Sequence, residues 1–181
     1  MNKKLLTCIV LIVFLVSMFT ACQKAPDPTV KEGKFDFSVT YEVDGVEMTV
    51  SSVYVCEFEE AGWGLDGWYI NWNQYIEDSE LANRLGETRG YLLLKTIDDG
   101  EIYLDFNLSA KYFLADPRFD YNYDTDEPIA VSPRLFIEYS EAKYEEIGES
   151  YSEDVAVLEG YGVKIINYEY DAPIENFYKN L

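Results

Sequence analysis

Oxygen-bearing side chains recur at nearly every second position in one acidic segment of the 181-residue chain. This pattern is typical of a calcium loop, because Ca²⁺ takes about six to eight oxygen ligands. The spacing begins like that of an EF-hand, but Thr125 stands where the sharp turn requires glycine and Val131 where the bidentate glutamate belongs. Two interpretations remain: a calcium site outside the EF-hand class, or a solvated acidic loop. The candidate ligands are Asp120, Asn122, Asp124, Asp126 and Glu127.

The three tryptophans of the chain lie close together and are candidates for glycan binding: Trp63, Trp68 and Trp72. An exposed indole suits sugar recognition, because a pyranose face presents C–H groups to a π surface. On a strand, Trp68 and Trp72 point the same way, so the alternative is that they fill the core. Core packing is the favoured interpretation for this pair. Trp63 stands between two glycines and is expected in a loop, partly exposed.

The residue types offer little support for catalysis. The chain has no histidine, which excludes Ser-His-Asp and Cys-His catalysis and histidine-ligated zinc. Cys56 has acidic neighbours and alternates with Tyr54 and Phe58, so we expect a buried thiol rather than a nucleophile. Acidic residues are numerous enough to form a catalytic carboxylate pair, but no spacing selects one. The sequence therefore predicts a non-catalytic protein, with a small carboxylate-dependent hydrolase as an alternative.

Charge restricts the partners. The chain carries 14 Lys+Arg against 34 Asp+Glu, a formal net charge of −20. Nucleic acid is excluded as a partner, because phosphate binding requires an excess of basic residues. An apolar fraction of 48% is too high for a disordered acidic tail. Partners that bind by charge must be cationic: a basic protein face or peptide, or a divalent cation.

The N-terminal 22 residues carry a targeting signal. Lys3 and Lys4 precede an almost wholly apolar stretch, and small residues at Thr20 and Ala21 stand directly before Cys22. An apolar stretch of about 15 residues is short for a membrane span and typical of a signal peptide. Its end resembles the lipobox of bacterial lipoproteins, although Phe19 stands where leucine is usual. An ordinary cleaved signal or an uncleaved anchor is the alternative.

The lipobox resemblance implies that Cys22 is diacylated and becomes the new N-terminus. The protein would then be lipid-anchored on the extracytoplasmic face of the cell membrane. Loss of Lys3 and Lys4 would leave 12 basic and 34 acidic residues, a net charge of −22. Residues 23–33 contain two prolines and no apolar periodicity, which indicates a linker. The predicted organisation is a signal peptide at 1–21, a lipidated N-terminus and linker at 22–33, and one domain at 34–181.

Strict apolar alternation on both sides of Asp44-Gly45 predicts a β-hairpin over residues 35–50. A two-residue turn sets Val43 opposite Val46, Tyr41 opposite Met48 and Val39 opposite Val50. A second hairpin is predicted around Asp99-Gly100, with Ile97 opposite Ile102 and Leu93 opposite Phe106. Further strands are predicted at 52–58, 68–75, 134–139 and 163–170, short helices at 80–85 and 153–159, and an irregular loop at 116–133.

Many short strands joined by turns favour a mainly β fold, a single antiparallel β-sandwich with one or two short helices. An immunoglobulin-like arrangement is suggested by Cys56, which precedes Trp68 by 12 residues. The domain also resembles small uncharacterised lipoproteins of low-GC Gram-positive bacteria. That resemblance rests on Phe35–Val50, Gly62–Trp72 and Tyr161–Phe177 with its Pro173-Ile174-Glu175-Asn176, and it implies no activity.

Together these features predict a lipid-anchored extracytoplasmic lipoprotein with a non-catalytic binding or accessory role. A glycan-binding module that uses the aromatic segment from Trp63 to Tyr75 is one alternative, and the small hydrolase is another. No cofactor is expected apart from the candidate Ca²⁺.

Overall fold

The computed structural model describes residues 24–25, 27–64, 67–114 and 131–179. Within those ranges the strands are β1 Asp27–Pro28, β2 Glu32–Val43, β3 Val46–Gly64, β4 Gly67–Ile76, β5 Leu92–Ile97, β6 Gly100–Asp105, β7 Arg134–Tyr139, β8 Tyr151–Ser152, β9 Val163–Tyr170 and β10 Tyr178–Lys179. The helices in the same ranges are α1 Ser79–Glu87, α2 Ala110–Phe113, α3 Glu141–Ile147 and α4 Val155–Gly160.

Two four-stranded antiparallel sheets enclose one hydrophobic core. The first sheet has the order β4-β3-β2-β9 and the second the order β5-β6-β7-β8, while β1 and β10 form a separate two-stranded ladder. The rings of Phe37 on β2 and Phe106, which follows β6, lie 5.2 Å apart and join the sheets. The predicted mainly β sandwich is confirmed. Its core includes Phe35, Phe37, Val39, Tyr41, Tyr54, Cys56, Ile70, Trp72, Leu92, Ile102, Leu104, Leu135, Ile137 and Val163.

The first predicted hairpin is confirmed in its turn and in its register. Asp44 and Gly45 both have positive φ, 52° and 81°, and the three predicted cross-strand pairs are those observed. β3 continues without a break to Gly64, so the predicted strands at 46–50 and 52–58 are one strand. Val46 near the turn is 60% exposed. The end of the hairpin therefore extends past the edge of the core.

The register predicted for the second hairpin is wrong. Ile97 lies opposite Gly100 rather than Ile102, and Leu93 lies opposite Tyr103 rather than Phe106. The physical reason is the position of Gly100, which begins β6 and does not occupy the turn. A Cβ at this position would lie 2.1 Å from the carbonyl oxygen of Glu138. The close approach of β7 therefore requires the glycine.

Both predicted helices exist, but aspartates cap them. The Asp78 carboxylate accepts hydrogen bonds from the amides of Glu80 and Leu81 at the start of α1. Asp154 does the same for the first turn of α4. The serines that directly precede the helices predicted at 80–85 and 153–159, Ser79 and Ser152, are therefore not the caps. Helices α2 and α3 were not predicted.

The predicted linker at 22–33 is too long. Asp27 and Pro28 pair with Lys179 and Tyr178, and β2 already begins at Glu32. Backbone pairing with the C-terminal segment thus brings this stretch into the folded domain, although its two prolines and its lack of periodicity are typical of a tether.

The immunoglobulin-like spacing has a different origin in this fold. Cys56 on β3 and Trp68 on β4 belong to neighbouring strands of the same sheet. In immunoglobulin domains the corresponding cysteine and tryptophan lie on strands of facing sheets. Here the spacing results from the β3–β4 hairpin.

Candidate ligand-binding surface

The outer face of the second sheet gathers charged and aromatic side chains. Alternation along β6 turns Ile102 and Leu104 into the core, and alternation along β7 does the same for Leu135 and Ile137. The residues between them face outward and pair across the two strands. These pairs are Glu101 with Glu138, Tyr103 with Phe136, and Asp105 with Arg134.

Three rings form an aromatic floor in the middle of this face: Tyr91, Tyr103 and Phe136. The Tyr91 and Phe136 rings meet edge to face with centroids 4.9 Å apart, and the Tyr103 and Phe136 rings stack at 5.5 Å. Tyr103 is only 7% exposed, whereas Leu93, its neighbour on β5, is 37% exposed. The floor is therefore tightly packed, and it offers apolar surface to a ligand through the half-buried rings of Tyr91 and Phe136 and through Leu93.

An acidic pair, Glu101 and Glu138, adjoins the floor. Side chains directly opposite each other in an antiparallel sheet have Cβ atoms about 4.5–5.5 Å apart, and like charges in that position destabilise the sheet. The Tyr103 hydroxyl donates a hydrogen bond to the Glu101 carboxylate. Burial, and then the two carboxylates, raise the pKa of Tyr103 to about 12. Among the described residues, no lysine or arginine lies within ion-pair distance of either glutamate.

The opposite end of the face is already neutralised. The Arg134 guanidinium lies 2.7 Å from the Asp105 carboxylate and 3.3 Å from that of Glu153. A hydrogen bond to Asp105 raises the pKa of Arg134 above its ordinary value. Because Arg134 is held between these two acids, it is a poor partner for a further anion.

These groups line an open cavity of about 1000 Å³. Residues from the segment before β5 and from the β7–β8 region complete its rim, among them Arg89, Ser150 and Tyr151. The cavity offers two facing carboxylates beside an aromatic floor. Such a surface can take a cation with an apolar stem, since the ammonium or guanidinium meets the acids while the stem covers the rings.

The tryptophans do not form a common exposed platform. Trp72 is 8% exposed and meets Phe58 edge to face at 5.7 Å. Trp68 is half-buried, as expected for a core-facing side chain on the same strand. Trp63 is 45% exposed, as predicted, but it lies on β3 rather than in a loop. Its indole nitrogen donates a hydrogen bond to the carbonyl oxygen of Lys24 at 3.3 Å.

Two sets of predicted site residues lie outside the described residues: Cys22, and the candidate calcium ligands Asp120, Asn122, Asp124, Asp126 and Glu127. In the part of the chain that the structure does describe, no three cysteine or acidic side chains are grouped to hold a metal ion. Cys56 is fully buried. Burial raises its pKa to about 12, which agrees with the predicted unreactive thiol.

Sequence reasoning missed the acidic pair and the aromatic floor. The alternation in Gly100–Asp105 and Arg134–Tyr139 contains the signal, because every second residue there is charged or aromatic. Periodicity identifies the outward residues, but it does not say that β6 and β7 are neighbours.

No helix among the described residues is both long and apolar enough to span a membrane. Comparison of the chain with protein-family models, with curated proteins and with solved structures finds no match.

Proposed function

We propose that the chain is a lipid-anchored extracytoplasmic lipoprotein whose β-sandwich domain binds a cationic ligand, without catalysis, on the outer face of the second sheet. The anchor rests on the basic and apolar residues that precede Cys22. The binding surface rests on one observation: the acidic pair lies beside the aromatic floor without a basic partner in the described part of the chain.

The acidic pair favours a cation because the free protein carries a repulsion that a ligand can remove. Like charges opposite each other cost about 0.2–1 kcal/mol. A bound ammonium or guanidinium relieves that repulsion and also lies near the half-buried ring of Phe136, where a cation–π contact contributes about 0.5–1 kcal/mol at an exposed site.

A lysine or arginine side chain of a protein partner fits this surface better than a metal ion. Ca²⁺ takes about six to eight oxygens, and the acidic pair supplies two carboxylates on an open face. The aliphatic stem of a lysine or arginine covers apolar rings while its charge reaches the acids. The net charge of −22 expected after signal cleavage steers basic partners toward the domain at short range, since the Debye length is about 8 Å at physiological salt.

The hydrolase alternative gains a candidate carboxylate pair, but the pair lies on an open sheet face. Glycosidases place their two carboxyl groups on either side of a bound sugar in a cleft. Glu101 and Glu138 lie side by side on neighbouring strands, so we keep the non-catalytic interpretation.

Binding is tested by calorimetry with the full-length protein in detergent. The probe is a short peptide whose two lysines are separated by neutral residues, and its Nε-acetylated form is the negative probe. Glu138→Gln should weaken binding about two- to five-fold, the range expected for one exposed ion pair. Phe136→Leu keeps an apolar floor but removes the ring, and should weaken binding by a similar factor.

Glu47→Gln is the matched control. Glu47 also faces a glutamate across a hairpin, Glu42, but Lys164 lies 3.2 Å from Glu42, so this acidic pair already has a basic neighbour. The control removes the same charge, so equal losses in Glu47→Gln and Glu138→Gln would mean unspecific attraction and would refute the proposed surface. Glu138→Gln should also stabilise the free protein slightly, whereas a purely structural role predicts a loss.

Lipid anchoring is tested separately by fractionation of cells that express the full chain. Wild-type protein should remain with the membranes, and Cys22→Ala should appear in the soluble fraction once its signal is cleaved. Cleaved Cys22→Ala protein that stays in the membrane fraction would contradict the anchor.

A further inference from the structure

The exposed indole of Trp63 lies beside the segment that leads to Cys22. Its nitrogen donates to the carbonyl oxygen of Lys24 at 3.3 Å, two residues after the proposed lipid attachment point. Since n residues span at most about 3.3–3.6 Å each, the Cα atoms of Cys22 and Lys24 are no more than about 7 Å apart. The lipidated end of the chain therefore cannot be far from the end of the β3–β4 hairpin.

This hairpin end extends apolar and aromatic surface past the core. Trp63 lies opposite Trp68 across β3 and β4, and Trp63 remains 45% exposed. Tyr69 lies over Gly62, where a Cβ would come within 2.6 Å of its hydroxyl, so the ring packs against the hairpin backbone. The hairpin end is thus a firm aromatic edge.

Three lysines accompany the acidic residues at this end of the domain. Lys24, Lys31 and Lys179 lie on or beside the segments that join here. Lys31 pairs with Asp27 at 2.8 Å and its ammonium lies 5.1 Å from the centroid of the Phe58 ring. Lysines beside an aromatic edge are typical of surfaces that meet lipid headgroups.

From this arrangement we propose that the end of the β3–β4 hairpin, centred on Trp63, contacts the membrane interface. The inference rests on the proposed lipid anchor at Cys22. The interfacial layer on each side of a bilayer is about 5–8 Å thick, half the difference between a total of about 40–45 Å and a hydrocarbon core of about 30 Å. The short covalent distance from Cys22 to Lys24 places Trp63 within reach of that layer, where the amphipathic indole is favoured.

The test uses the lipidated protein reconstituted in phosphatidylcholine vesicles whose acyl chains carry bromine near the headgroup. Flotation with the vesicles reports the lipid anchor, and quenching of tryptophan emission reports contact of an indole with lipid. Wild-type protein should float and should show quenching with a blue-shifted emission. Trp63→Phe should float equally well and lose most of the quenching.

Trp72→Phe is the matched control, because Trp72 is buried in the core and should contribute no lipid quenching. Protein that floats without quenching, or with equal quenching in Trp63→Phe, would overturn the membrane contact and leave the anchor standing. Protein that fails to float would overturn the anchor and the inference with it. An emission change with a soluble neutral polysaccharide, but not with vesicles, would instead assign Trp63 to glycan binding.

Discussion

Removal of the Asn176 side-chain amide should open the junction between the N- and C-terminal segments. Among the described residues, Asn176 is the polar residue that is buried, with 8% of its surface exposed. Its Oδ1 accepts hydrogen bonds from the Val30 amide at 2.9 Å and the Thr29 hydroxyl at 3.1 Å, and its Nδ2 donates to the Val30 carbonyl at 3.0 Å. Beside it, the Thr29 amide donates to the Phe177 carbonyl oxygen and the Phe177 amide donates to the Thr29 hydroxyl oxygen. One side chain thus satisfies both backbone groups of Val30.

The magnitude follows from the groups left without partners. In Asn176→Ala the Val30 N–H loses its acceptor and the Val30 carbonyl loses its donor. An unsatisfied buried polar group costs about 1–3 kcal/mol. The site is only partly buried, so water can recover some of this, and we expect a total loss of about 2–3 kcal/mol. That is a large share of the roughly 5–15 kcal/mol that stabilises an ordinary domain.

Urea unfolding of wild type and variant measures the loss, and hydrogen exchange at the Val30 amide locates it. Asn167→Ala is the control, because Asn167 is exposed on β9. Asn176→Asp keeps both acceptor contacts but sets a carboxylate oxygen against the Val30 carbonyl oxygen, so it should also destabilise the protein. If Asn176→Ala costs no more than Asn167→Ala and Val30 remains equally protected, the reasoning fails.

Two further predictions concern packing and pH. Gly100→Ala should lower the free energy of unfolding by about 1–3 kcal/mol or more, because the new Cβ meets the Glu138 carbonyl oxygen. Gly86→Ala is the control: its Cβ enters open space on α1, and it should raise the free energy of unfolding by up to about 1 kcal/mol. Thermal unfolding of both variants measures the difference. Burial raises the pKa of Cys56 and of Tyr54, so the unfolded chain ionises first and the free energy of unfolding falls as pH rises. Urea titrations should show a slope of about 1.4 kcal/mol per pH unit above about pH 8.5 from Cys56, absent in Cys56→Ala. Above about pH 10 the slope should steepen, because burial raises the pKa of Tyr170 as well as that of Tyr54.

The turn and the register of the first hairpin could be predicted because their determinants are local. The apolar alternation in Phe35–Val43 selects one face, and a one-residue slip would turn all of those side chains to the other face. Asp44 and Gly45 supply the positive φ that a two-residue turn requires. Turn and pattern specify the same register, so no distant contact is needed to choose between alternatives.

The register of the second hairpin could not be predicted from local sequence. Asp98, Asp99 and Gly100 offer two placements of a turn, and local preference alone favours the glycine as a turn residue. The fold instead places Gly100 opposite Tyr139, where the backbone of β7 comes too close for any side chain. A contact between strands about 40 residues apart in sequence therefore decides the register, and no window of local sequence contains it.

The candidate site illustrates the same limit. Glu101 and Glu138 could each be placed on the outer face of a strand by alternation. Their pairing depends on the order of strands in the second sheet, which is a property of the whole chain. The tryptophans are rare residues that lie close together in sequence, which favours a shared site. Trp63 and Trp72 are close because they lie on the two arms of one hairpin, where the first indole is exposed and the second is buried.

The shorter linker changes how the proposed anchor holds the domain. A linker from Cys22 to residue 34 would span up to about 40–43 Å, whereas Cys22 to Asp27 spans at most about 18 Å. A domain held this closely, with the net charge of −22 expected after signal cleavage, experiences repulsion from anionic lipid. The end that carries Lys24 and the β3–β4 hairpin belongs with the first sheet and the β1–β10 ladder, while the acidic pair lies on the outer face of the second sheet. Contact at one end therefore leaves the acidic pair open to a cationic partner, and the anchor and the ligand need not compete for the same surface.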